Sequence, residues 1–280
     1  MGILIKAIEI ILFVGVALVL TQNLQIYPGA VLSIFKSRKR NPRSMPTGVE
    51  SHFISTADNK RIEVWHLPVQ EQEQRSPYVG LVFHGNAGTL ENFFLMQLWF
   101  QELGIPSYSF DYRGFGKSSG WPSEKGINLD SDAFWKFVSD REQLSPDQVV
   151  VCGFSLGCVF ATRMASICKP RLLVLVSPFV SASRVMADSL ILRWLRPFLW
   201  DRLPTVEYFS QLGPTKVVVM HGSNDNIIPP HHSTELIAQY RGSESVQFVN
   251  QPFGHNDVFF GGWKALTDAV RSSLSGKTGA

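Results

Sequence analysis

Cysteine is scarce in this 280-residue chain, which holds only Cys152, Cys158 and Cys168. So small and odd a set builds no disulfide framework. If Cys158 and Cys168 share a helix, they lie roughly 15 Å apart, too far to bridge. No Asn-x-Ser/Thr acceptor occurs either, and both absences point to a reducing compartment. Charge is also sparse, at 18% of residues with a formal net of +3. That excess comes from one acid-free run, Lys36, Arg38, Lys39, Arg40 and Arg43; setting it aside leaves a slightly acidic remainder. A nucleic-acid surface is therefore excluded. There is no internal repeat, no low-complexity tract and no cysteine/histidine spacing that suggests zinc. Hydrophobic residues make up 45% of the chain, enough for a substantial core and too many for wholesale disorder.

The N-terminus departs from this pattern. Every residue from Ile10 to Leu20 is apolar or glycine, and Gly2 to Ile5 extends the stretch beyond Lys6 and Glu9. A membrane span needs about 20 residues, which this segment reaches only by including that charged pair. Three apart on one helical face, Lys6 and Glu9 can pair or snorkel. The segment is expected to be a single-pass membrane anchor over residues 1–24, with a cleaved signal peptide and an interfacial helix as alternatives. The basic residues that follow place the C-terminal side in the cytoplasm by the positive-inside tendency. A basic, proline-containing linker is expected over 25–48 and one folded domain over 49–275.

Within that domain, strand-like and helix-like stretches alternate. Strands are expected at 61–67, 78–84, 105–111, 148–154, 172–177, 216–221 and 246–250, and helices at 90–103, 125–142, 156–168, 230–240 and 258–274. Alternation with few hairpin signals implies an α/β fold, a mostly parallel central sheet covered by helices on both faces.

The chemistry concentrates in short loops behind these strands. Gly153-Phe154-Ser155-Leu156-Gly157 follows the apolar strand Val149-Val150-Val151-Cys152 and opens a helix. That strand–turn–helix is what a nucleophile elbow requires, with small glycines permitting the tight turn. A serine hydroxyl needs a base to take its proton, and in this arrangement an acid and then a histidine follow in the chain. Asp225 lies in His221-Gly222-Ser223-Asn224-Asp225, just after a strand, and His255 lies in Phe253-Gly254-His255-Asn256-Asp257, before the last helix. Asp188, Asp201 and Glu207 are the competing acids, but they fall in a stretch of helical character. His231 and His232, after Pro229-Pro230, are expected on the surface, and Asp257 as a helix cap. An oxyanion hole would draw backbone N–H groups from Leu156 and from the loop His84-Gly85-Asn86-Ala87-Gly88, with Asn86 first and Ala87 second. The Gly-Lys-Ser at 116–118 is no P-loop, because Asp111 stands where that motif needs glycine, and no dinucleotide fingerprint is complete. No cofactor and no metal are expected.

Taken together, the motifs at 84–88, 111–118, 153–157, 221–225 and 254–257 resemble the α/β-hydrolase superfamily. More narrowly they resemble its membrane-associated serine hydrolases, a group that includes acyl-protein thioesterases and lipid hydrolases. The similarity covers roughly residues 50–275. It implies Ser155 as nucleophile, Asp225 as acid, His255 as base, and Asn86 with Leu156 at the oxyanion. Cys158 departs from the pattern, standing where such proteins often carry glycine or alanine. Residues 179–212, rich in leucine, tryptophan and phenylalanine, are expected to cap the site or to be an ordinary packing segment. The expected activity is hydrolysis of carboxylic esters or thioesters, of lipid-like or acylated substrates. A serine peptidase of the same fold and a catalytically inactive, membrane-tethered binding module are the alternatives.

Overall fold

The computed structural model describes the chain except for residues 1, 37–44, 70–74, 191, 243–245 and 276–280. Eight strands form one sheet: β1 (Glu50–Ser55), β2 (Arg61–Leu67), β3 (Val79–Phe83), β4 (Ser107–Phe110), β5 (Val149–Phe154), β6 (Leu172–Val176), β7 (Lys216–Gly222) and β8 (Val246–Gln251). Their spatial order is β1-β2-β4-β3-β5-β6-β7-β8. The β1/β2 and β2/β4 pairs are antiparallel, and every other neighbouring pair is parallel. The α/β fold with a mostly parallel central sheet expected from the strand–helix alternation is the one found, and it is the fold that the resemblance to α/β-hydrolases implies.

The central strands are buried at every residue, as parallel strands covered on both faces must be. Side chains alternate between two cores with the period of two that a strand imposes. Phe83, Val149 and Val151 point into one, with Phe134 and Phe160 from the helices α5 (Glu124–Glu142) and α6 (Gly157–Cys168). Val82, Val150 and Cys152 point into the other, with Trp99 and Phe100 of α4 (Leu90–Glu102) and Phe259 and Leu266 near the C-terminus. The helix expected at 258–274 is two, α10 (Val258–Gly261) and α11 (Trp263–Ser275), which part at Gly262, a close approach where a Cβ would lie 2.7 Å from Met220 Sδ and from Val258 O. All three cysteines are free and buried.

The N-terminal reading needs correction. Among the described residues no helix is long and apolar enough to cross a membrane, so the single-pass anchor, and the orientation drawn from it, do not stand. Lys6 and Glu9 interrupt α1 (Gly2–Leu20), and the uninterrupted part from Ile10 is about 16 Å long, roughly half a hydrocarbon core. The far end of α1 instead turns onto the domain that holds the sheet. The short helices α2 (Gln22–Ile26), across the expected anchor–linker boundary, and α3 (Pro28–Lys36), within the expected linker, follow. Tyr27 and Ala30 are buried in the main core, and the Tyr27 hydroxyl donates to Asp201 Oδ2 at 2.6 Å. Of the basic run, Arg38, Lys39, Arg40 and Arg43 lie outside the described residues.

A buried tyrosine bonded to a buried carboxylate contributes to stability where a tether would not. Tyr27→Phe leaves Asp201 short of a donor and should lower the unfolding free energy by about 1–3 kcal/mol. Urea denaturation of the full chain checks this, and an unchanged midpoint would mean that the segment is not part of the folded unit.

Candidate active site

The parallel strands β5, β7 and β8 end on the same edge of the sheet, and the loops after them carry Ser155, Asp225 and His255. Ser155 sits at φ +51°, in the left-handed region that costs a non-glycine residue energy. Its N–H donates to Val176 O at 2.9 Å, which fixes the turn to the neighbouring strand. The flanking glycines have a specific cause. A Cβ at Gly157 would stand 2.1 Å from Phe83 O, and one at Gly153 would stand 2.7 Å from the Cβ of Ala161. Helix α6 can begin immediately behind the serine only because both side chains are missing. Cys158 fits the same tight place, its one S–H shared between Gly153 O at 3.2 Å and Val176 O at 3.3 Å from Sγ. Burial pushes that thiol well up, which keeps it protonated and inert.

Asp225 is placed by a similarly close approach. Gly222 lets the end of β7 pass the loop after β8, where a Cβ would meet Phe253 O at 2.2 Å. The Asn224 N–H donates to Phe253 O at 3.1 Å, tying the two loops together. Asp225 Oδ1 accepts from the N–H groups of Ile227 (2.9 Å) and Ile228 (2.8 Å). Its Oδ2 faces His255 Nδ1 at 2.7 Å and His221 Nε2 at 3.3 Å. Burial raises the carboxyl pKa, but hydrogen bonds from His221 and His255 and the pull of His255 outweigh it and hold Asp225 below the ordinary value. An ionised carboxylate only accepts, so Nδ1 of His255 carries a proton and Nε2 is free to accept from Ser155 Oγ, 3.0 Å away. The structure thus brings Ser155, His255 and Asp225 into one hydrogen-bonded chain.

The competing acids are occupied elsewhere. Asp201 holds Tyr27, Glu207 pairs with Arg202, and Asp188 pairs with Arg184. Asp257 begins α10 with no capping bond from its side chain. His84, fully buried, directs Nδ1 to Gly85 O at 2.7 Å, stacks on Tyr112, and is depressed to about 4 by burial. Asn86 and Leu156 both border the cavity above Ser155. Among the described residues neither backbone N–H donates a hydrogen bond, so both are available to a ligand.

His221 and His232 were not singled out from sequence as buried. His221 Nε2 also faces Ile228 O at 2.9 Å, and Nδ1 faces Ser233 Oγ at 2.6 Å. A carbonyl accepts only, so Nε2 is protonated and is shared with Asp225. His232, expected on the surface, is wholly buried between the capping segment and α9 (His231–Ala238). Nε2 of His231 and of His232 lies 3.1 and 3.0 Å from Asp188 Oδ2. The three ligand atoms lie within 4.8 Å of one another, the spacing of a possible metal site. The two rings stack nearly parallel, however, at 24° and 4.6 Å, and His232 Nδ1 accepts from Val180 N–H at 3.4 Å. A proton-accepting Nδ1 leaves the proton on His232 Nε2, so that nitrogen has no lone pair to offer an ion. The cluster is a brace between the cap and α9.

A cavity of about 470 Å³ opens from Ser155 and His255. Its walls are Phe93, Phe154 and Phe179 of the domain, Leu192, Leu195 and Leu199 of the capping segment, and Leu18, Val19 and Ile26 from the N-terminus. The capping segment comprises α7 (Ala182–Asp188) and a 3₁₀ turn Leu192–Phe198, and α8 (Thr205–Phe209), which follows it, packs against α6. The N-terminal wall carried no chemical motif; the Tyr27-Pro28-Gly29 break after the apolar run was its one signal.

Comparison with known proteins agrees with the fold. The family model described as serine aminopeptidase, S33, matches residues 78–214. An uncharacterized protein of Mycobacterium tuberculosis is 32% identical over 223 residues, 79% of this chain and 78% of that one. The mouse alpha/beta hydrolase domain-containing protein 17C is 28% identical over 211 residues, 75% of this chain and 63% of that one. Among solved structures, the Pyrococcus furiosus esterase Pf2001 superposes with a TM-score of 0.68 at 18% identity, covering 84% of this chain and 93% of its own.

His84 and His232 are both depressed to about 4 by burial, against an ordinary value near 6.5. The unfolded chain therefore binds more protons than the folded one between those values. Stability should fall as pH drops from about 6.5 to about 4, by up to about 3 kcal/mol per histidine, and the contribution should level off below. Comparing the pH dependence of urea midpoints for the native chain and His232→Gln checks this. The variant should show the shallower slope, and equal slopes would contradict the assignment for His232.

Proposed function

The chain belongs to the α/β-hydrolase superfamily, and on that premise we propose that it is a serine hydrolase cleaving carboxylic esters or thioesters with an apolar acyl group. The observation that carries this reading is the Asp225–His255–Ser155 hydrogen-bond chain opening into a mostly apolar cavity. Ser155 Oγ attacks the carbonyl carbon while His255 Nε2 takes its proton. Asp225 holds the imidazole in the required tautomer and stabilises the imidazolium. The backbone N–H groups of Leu156 and Asn86 receive the developing oxyanion. His255 then protonates the departing alcohol or thiol, leaving an acyl group on Ser155. Water, deprotonated by the same imidazole, attacks that acyl group; the bond to Ser155 Oγ breaks, His255 returns the proton to Oγ, and the carboxylic acid leaves.

The cavity supports an acyl substrate over a peptide. Its described lining residues include no carboxylate to pair with a peptide's N-terminal ammonium, and apolar side chains dominate its walls. An acyl chain gains about 0.8 kcal/mol per buried methylene in such surroundings. Medium and long chains should therefore be preferred over acetate.

Ser155→Ala should lower kcat for p-nitrophenyl octanoate by roughly 10⁶, and Asp225→Asn by roughly 10⁴, with folding intact. Asp188→Asn should stay near the native rate once matched for folded fraction, and Asp201→Asn, whose amide oxygen can still accept from Tyr27, should lose far less than Asp225→Asn. A Ser155→Ala variant that keeps a tenth of native turnover would refute the nucleophile. Collapse at Asp188 or Asp201 with Asp225→Asn within about threefold of native would refute the acid. A panel of acetate, octanoate and palmitate esters, with an aminoacyl anilide alongside, tests the substrate class. Faster cleavage of the anilide would favour the peptidase reading.

A further inference from the structure

The N-terminal segment does more than close the cavity. The Gly29 N–H donates to the Asn86 carbonyl at 2.9 Å, and Asn86 Nδ2 donates to the Ile26 carbonyl at 3.2 Å. Residue 86 is thus gripped by both its main chain and its side chain, from one turn of α2–α3. The grip is close: a Cβ at Gly29 would stand 2.8 Å from Asn86 O and 2.4 Å from the Phe115 ring. No larger residue fits there without moving Asn86 or Phe115.

The same stretch also holds the cap. Gln22 Nε2 donates to Phe198 O at 3.2 Å, and Gln22 Oε1 accepts from the Trp200 N–H at 2.8 Å. Tyr27 is bonded to Asp201 five residues later, as above. The N-terminal turn thereby joins two structures that do not otherwise share a strand or a helix, the loop after β3 and the capping segment. This region lies outside the part of the chain matched by the family model.

We infer that residues 22–29 are a positioning element of the active site, in which Gly29 and Ile26 fix Asn86 so that its N–H faces the oxyanion formed over Ser155. The inference rests on the hydrolase reading given above. Its physical basis is that an oxyanion donor acts through preorganisation: an N–H free to rotate must be ordered during the reaction and loses its advantage. The two contacts hold the carbonyl and the side chain of residue 86 from the N-terminal side, while the peptide plane that carries its N–H is held at the other end, where the Gly85 carbonyl faces His84 Nδ1 at 2.7 Å. Residue 86 therefore has little rotational freedom left. The segment is therefore a positioning element, since none of its polar groups need touch the reacting atoms.

The test uses the full chain and three variants, Gly29→Ala, Asn86→Ala and Ser155→Ala. Each is assayed with p-nitrophenyl octanoate and with octylboronic acid, which binds a serine as a tetrahedral adduct. Gly29→Ala should lower kcat by roughly 10–100-fold with KM within about twofold, and weaken the boronic acid by a similar factor. Asn86→Ala keeps the backbone N–H but loses the Ile26 contact, and should show the same pattern at roughly 3–10-fold. A purely structural role would lower the active fraction without changing boronic acid affinity per folded molecule. Native kcat and boronic acid affinity in both Gly29→Ala and Asn86→Ala would overturn the inference. If Gly29→Ala does not fold, Asn86→Ala decides alone. Ser155→Ala separates the two levels: full activity there overturns the hydrolase reading itself, whereas an inactive Ser155→Ala beside a native Gly29→Ala and Asn86→Ala overturns only the positioning role.

Discussion

The left-handed backbone at Ser155 is the constraint around which the site is organised. At φ +51° the serine projects from a turn too tight for side chains on either side, and the pressure is relieved only because residues 153 and 157 are glycine. The turn is held because α6 starts against β3 and β5, with Gly157 beneath the Phe83 carbonyl. Those strands are held by two apolar layers that bury them on both faces. Strain of this kind, of order 1–3 kcal/mol, persists only where the surrounding structure over-determines the conformation. Here a fully buried central sheet does so.

The same logic of close approach recurs at the other two members of the hydrogen-bonded chain. Gly222 lets the β7 loop pass the β8 loop, and that contact sets the separation of Asp225 and His255. Asp225 satisfies two roles at once. One oxygen closes its own turn through Ile227 and Ile228, and the other meets His255. The turn-forming and the functional interpretations of this aspartate are therefore compatible, since a carboxylate fixed by its own loop is already oriented for the imidazole. His221 adds a further donor from beneath, so the acid is held on three sides.

Much of this was legible in the amino-acid order because the features concerned are local. A buried valine strand ending in Gly-x-Ser-x-Gly, and short polar loops after two later strands, carry their geometry in adjacent residues. The antiparallel edge strand β1 did not announce itself, because Glu50–Ser55 mixes charged, polar and aromatic residues without a clean alternation. The N-terminus misled for a different reason. An apolar run reads alike whether lipid, a protein surface or a cavity covers it, and only tertiary contacts with Asn86, Phe198 and Asp201 distinguish the cases. His232 is similar: its burial depends on Asp188 and Val180, some 44 and 52 residues away in sequence.

The central claim is that Ser155, poised by His255 and Asp225, carries the acyl group between substrate and water. Rapid mixing of the full chain with excess p-nitrophenyl octanoate, quenched in acid and followed by intact and peptide mass spectrometry, tests it directly. The account requires an octanoyl adduct on the peptide that contains Ser155, which forms and decays at rates compatible with turnover. Turnover that continues with no adduct at Ser155, or an adduct on a different residue with the same kinetics, would contradict it.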